Sequence, residues 1–166
     1  DGLTFLRYRT RPRMFKSIIF AYDGSAECRD ALEDGIALAS RFSASCYLLA
    51  VIPPPHPMAL ANGPLPDELV GEERSYVSTI LDEGLERLRQ AGVEAIGILR
   101  TDESPVEAIA AVARETCADL VVIGHHRRSA VDRWWRGSVG HSLLDQLPCG
   151  LFVSMPRGEE QRARLK

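Results

Sequence analysis

A single α/β domain, with a five-stranded parallel sheet wound on both faces by four helices, is the fold this sequence predicts. Three observations lead there. Five short apolar, β-branched runs alternate with segments of helical periodicity. The runs are apolar on both faces, as strands covered from both sides must be. Four of them end at a punctuating residue: Asp23-Gly24, Pro53, Gly124 and Pro156.

Ser17 to Tyr22 reads as the first strand and runs into the Asp23-Gly24-Ser25 turn. Ser25 or Asp23 can cap the helix that follows, whose apolar positions Cys28, Ala31, Leu32, Gly35, Ile36, Ala39 and Phe42 keep three-and-four spacing. Tyr47 to Ile52 is the second strand and empties into a loop holding Pro53, Pro54, Pro55, Pro57, Pro64 and Pro66. Leu69, Tyr76, Val77, Ile80, Leu81, Leu85 and Leu88 mark the inner face of a long second helix that stops at Ala91-Gly92. Val93 to Leu99 is the third strand, an edge candidate because of Gly97. Ser104, Pro105 and Glu107 open a third helix as cap, first-turn proline and early acid, burying Val106, Ile109, Ala110, Ala113 and Cys117. Asp119 to Ile123 is the fourth strand; Gly137-Ser138 starts a helix through Leu147, and Leu151 to Met155 is the fifth strand.

The 166 residues are one domain's worth, 45% hydrophobic and 26% charged, which excludes a disordered or collagen-like chain. Twenty Lys and Arg against 23 Asp and Glu leave a formal charge of -3, so a general nucleic-acid coat is not expected. Arginines nonetheless cluster at Arg7, Arg9, Arg11 and Arg13, and again at Arg127, Arg128, Arg133 and Arg136. Residues 42–66 carry no charge, but their prolines exclude a membrane helix. With no signal peptide evident, a soluble cytoplasmic protein is expected. Cys28, Cys46, Cys117 and Cys149 have no metal or redox spacing and read as small buried hydrophobes. The domain is expected over 14–156, between a basic tail at 1–13 and a second tail at 157–166.

In an open parallel sheet the ligand crevice lies outside the strands' carboxyl ends. Asp23 sits there, as a helix cap or as an acid accepting hydrogen bonds from a ribose or base. Gly124 allows either a turn or close approach of a ligand to the backbone. Gly137, Ser138 and Val139 open a helix, where free amides and a hydroxyl suit phosphate, and the arginines just upstream suit it further. His56, His125, His126 and His141 show no zinc spacing. A Walker sequence, a G-x-S-x-G elbow and a G-x-G-x-x-G fingerprint are all absent from the sequence.

With Asp23 after the first strand and residues 124–138 after the fourth, the chain resembles the universal stress protein family over about Met14 to Met155. Members carry Gly-x-x-Gly, nine residues, then Gly-Ser or Gly-Thr. Here Gly124 takes the first place, Arg127 the second glycine's, and Gly137-Ser138 the final pair. The resemblance implies a Rossmann-like fold of the adenine nucleotide alpha hydrolase kind, with strand order 3-2-1-4-5. It implies ATP, or AMP or cyclic AMP, with or without Mg²⁺, with Asp23 and Val51 at the nucleoside and Gly124, Arg127, Gly137, Ser138 and Val139 at the phosphates. It further implies a stress-response module with little or no turnover, and a homodimer paired through Leu151 to Met155. A regulatory protein partner is also expected. Weak ATPase activity or self-phosphorylation, with Ser138 as acceptor, stays open.

Arg127 departs from the pattern: its side chain either blocks the phosphates or clamps them. The Gly124-His125-His126 start also resembles the universal stress protein A branch, whose members are regarded as not binding ATP. That branch implies the alternative, a dimeric interaction protein without nucleotide. A phosphoacceptor receiver domain shares the five-stranded layout, but Pro156-Arg157 fails to supply its lysine after the fifth strand.

Overall fold

The computed structural model describes residues 15–54, 66–125 and 143–155. Five strands, β1 (Ser17–Ala21), β2 (Ser45–Ile52), β3 (Ala95–Thr101), β4 (Leu120–Gly124) and β5 (Gly150–Ser154), form one sheet in the order β3-β2-β1-β4-β5. Every pairing is parallel. The helices are α1 (Ala26–Phe42), α2 (Asp67–Gln90), α3 (Pro105–Glu115) and α4 (Leu143–Gln146).

Alternation along the central strands sends side chains into two separate cores. Ile18, Phe20, Leu48 and Val122 pack with Leu32 and Ala39 of α1 and Leu81 and Leu88 of α2. Ile19, Leu49 and Val121 pack on the other face with Ile109, Val112 and Ala113 of α3, and Leu143 of α4 joins them. The sheet is therefore doubly wound. Glycines let α1 and α2 lie close on their side: a Cβ at Gly35 would fall 2.2 Å from the Phe20 ring, and one at Gly97 2.8 Å from Leu85 Cδ1. Gly97 thus serves helix-on-sheet packing as well as marking the edge.

Local signals act as the sequence suggests in α3, where Ser104 Oγ accepts from Glu107 N and Pro105 takes the first turn. Strand limits differ by one to two residues from the expected ones, β3 most, because Val93 and Glu94 still belong to the turn after α2. Two expectations of burial fail. Cys117 is exposed, since α3 ends at Glu115 and Cys117 follows in a left-handed conformation (φ 47°) outside the helical stripe. Leu69 and Tyr76 are 51% and 68% exposed. The reason is length: 24 residues of α2 span about 36 Å, while the eight of β2 cover about 26 Å, so the first turns of α2 overrun the sheet. The start of the helix at Gly137-Ser138 lies outside the described residues. No described helix is long and apolar enough to cross a membrane.

Candidate functional site

The carboxyl ends of β2, β1 and β4 lie side by side at one edge of the sheet. Ala21 pairs with Leu49, so Val51 stands level with Asp23, each two residues further on. Phe20 pairs with Val122, which puts Gly124 level with Tyr22. Between β1 and β4 the winding reverses direction, the place where an α/β sheet opens a crevice.

The turn after β1 is fixed by its own polar groups. Asp23 Oδ1 accepts from Ser25 N at 2.9 Å, and Ser25 Oγ accepts from Cys28 N at 3.2 Å. Ser25 is thus the cap of α1, and Asp23 shapes the turn ahead of it while remaining exposed. Gly24 has φ +75°, and a Cβ on it would meet Ile80 Cγ2 of α2 at 2.9 Å. Burial first, and then the Asp23 carboxylate, push the Cys28 thiol up to about 12.

Gly124 does not serve a turn, and it has a packing reason to be glycine that the sequence does not announce. Its φ is not positive; a Cβ there would lie 2.6 Å from Glu27 C and O and 2.8 Å from Cys28 N. The end of β4 therefore rests directly on the first-turn backbone of α1, beside the turn that carries Asp23. The chain leaving β4 is held by His125 N donating to Ser154 O at 2.9 Å. Ser154, 3% exposed, also donates from Oγ to Asp34 Oδ2 at 2.7 Å, fastening β5 to α1.

Val51 is half-buried on the α3 side, paired in register with Arg100, whose guanidinium is bonded to Glu115 of α3. Arg127, Gly137, Ser138 and Val139 lie outside the described residues. A clasp that the sequence does not announce joins α1 to α2. Arg29 donates to both oxygens of Glu83 at 3.1 and 3.0 Å, and Arg87 donates to Glu83 Oε1 at 3.1 Å. The Arg29 bonds foremost hold the Glu83 carboxyl below its usual range. Burial pushes the Tyr22 phenol beside them up, against the pull of Arg29. A three-and-four spacing of opposite charges within α2 is visible in the sequence; the cross-helix partner Arg29 is not.

Along its length the chain matches known proteins. The universal stress protein family profile covers residues 14–154. The chain belongs to the universal stress protein family. A universal stress protein of Thermus aquaticus is 33% identical over 148 residues, 84% of this chain and 98% of that one. Among solved structures, a universal stress protein family member from Burkholderia pseudomallei is 26% identical, with TM-score 0.65 over 86% of this chain and 97% of that one. A universal stress protein in complex with cAMP shares the fold at 20% identity, with TM-score 0.62 over 86% of this chain and 98% of that one.

Proposed function

We propose that this universal stress protein binds an adenine nucleotide, ATP foremost, across the carboxyl ends of β2, β1 and β4, and acts as a cytoplasmic stress-response module. The observation that carries the reading is that Val51 stands level with Asp23, and Gly124 one residue lower beside Tyr22, at the reversal between β1 and β4. The cAMP held by a relative of the same fold supports it. In this reading Asp23 and Val51 take the nucleoside. Gly124, where β4 rests on α1, and Arg127, Gly137, Ser138 and Val139 take the phosphates. Mg²⁺ would arrive with those phosphates, since no three His, Cys, Asp or Glu side chains converge among the described residues. Recognition is the assigned task of Asp23, and no other described group is cast as base or nucleophile.

Titration calorimetry with ATP and Mg²⁺ tests this, on the native protein and on Ser138→Ala and Arg127→Gly. Micromolar binding, about -8 kcal/mol, weakened in Ser138→Ala supports the reading; silence from all three proteins refutes it. Binding restored only in Arg127→Gly favours the second reading, a dimeric interaction protein in which Arg127 closes the site. The β5 edge suits that role: Leu151, Phe152 and Val153 are half-buried and Met155 is 57% exposed, ready to pair with a second copy and to serve a regulatory partner.

A further inference from the structure

The stripe of α2 that faces α1 continues past the end of α1. Tyr76, Ile80, Glu83 and Arg87 follow one another at spacings of four, three and four residues and share one side of the helix. At one end of the stripe Glu83 clasps Arg29 of α1. A turn nearer the start of α2, Ile80 lies against Gly24, two residues before α1 begins at Ala26. Tyr76 is a further turn along, about 6 Å beyond the point where Ile80 meets Gly24, on the side away from the body of α1. It is 68% exposed, and Leu69, seven residues earlier on the same stripe, is 51% exposed. Packing does not require an aromatic here, because Val77, Ile80, Leu81, Leu85 and Leu88 already join α2 to the core.

We propose that Tyr76 is the stacking platform for the purine base of the nucleotide held at Asp23. The inference rests on the nucleotide reading above and adds a contact from an element that reading does not use. An exposed ring one helical turn past the residue that meets Gly24, together with the Asp23 carboxylate of that neighbouring turn, offers what a purine nucleoside needs: a flat apolar face for the base, and an acceptor for its amine or ribose hydroxyls. Val51 belongs to the α3 side of the sheet and Tyr76 to the α2 side. A base lying over the ends of β1 and β2 therefore has an apolar neighbour on either side.

Calorimetric titration of ATP with Mg²⁺ into the native protein, Tyr76→Ala and Tyr76→Phe decides it, with the thermal midpoint of each nucleotide-free protein measured alongside. The expected result is a loss of about tenfold or more in ATP affinity for Tyr76→Ala. Affinity should be kept within about twofold in Tyr76→Phe, which retains the stacking ring. The midpoints of the free proteins should not change, as Tyr76 is exposed. Equal ATP affinity in the native protein and Tyr76→Ala overturns the proposal while leaving the nucleotide reading intact. An affinity loss accompanied by a lower midpoint of the free protein, or not rescued by phenylalanine, also overturns it. Native protein that takes up no ATP at millimolar concentration refutes the nucleotide reading, and this inference with it.

Discussion

Ser154 and Asp34, 120 residues apart in the chain, are joined by a hydrogen bond of 2.7 Å from the serine hydroxyl to Oδ2. Because Ser154 O also accepts from His125 N, one buried serine ties together α1, β5 and the exit of β4. A hydrogen bond to a charged acceptor contributes about 1.5–3 kcal/mol, and the half-buried Asp34 can recover part of that from water. Ser154→Ala is therefore expected to destabilise the protein by about 1–2 kcal/mol. Thermal unfolding should show it as a midpoint lower by about 2–6 °C.

Two glycines should respond to alanine with opposite signs. At Gly124 the added methyl meets main-chain atoms of Glu27 and Cys28 at 2.6–2.8 Å, which no rotamer change relieves. Gly124→Ala is expected to cost about 1–3 kcal/mol in urea unfolding. At Gly71, inside α2, nothing lies within 4 Å of the added atom. Gly71→Ala should stabilise by about 0.5–1 kcal/mol, because alanine gives up less backbone freedom in a helix.

The cysteines should react in order of burial. Cys117 is exposed and should be modified first by a thiol reagent at pH 8 in the folded protein. Burial pushes Cys28 up to about 12 and Cys46 to about 11, so both should react only after unfolding. The same shifts make stability depend on pH. The unfolded thiols ionise near 9 while the folded ones keep their protons, so stability is full below pH 9 and falls as pH rises from 9 toward 12. Urea midpoints measured between pH 8 and 10.5 should decline accordingly, and Cys28→Ala should flatten the decline.

Most of the fold was legible because the central strands are unambiguous: Ser17–Ala21 and Leu120–Gly124 are apolar on both faces and end at Asp-Gly or Gly. The strand order came through the family resemblance, since periodicity alone does not order strands. What stayed illegible depends on contacts distant in the chain. Asp23 and Ser25 were interchangeable as caps until the turn geometry separated them. At Gly124 the turn reading fails, and the α1 backbone it rests on lies almost a hundred residues earlier, where no local signal could show it. Tyr76 fits the inner-face pattern of α2, and helical spacing carries no information about where the sheet beneath ends. Cys117 likewise fits the stripe of α3 but lies beyond its last turn.

β1, the shortest route between the two cores, has strands on both sides and residues Ile18, Ile19 and Phe20 at 0–1% exposure. Its amides, with those of β4, should be the last to exchange with deuterated water, whereas β3 at the edge and the overrunning turns of α2 exchange early. The carboxyl-end residues are thus rooted in the slowest-breathing part of the molecule and bordered by its fastest. A ligand settling there would register as new protection along the first turns of α2, with almost none gained at β1, where there is little left to gain.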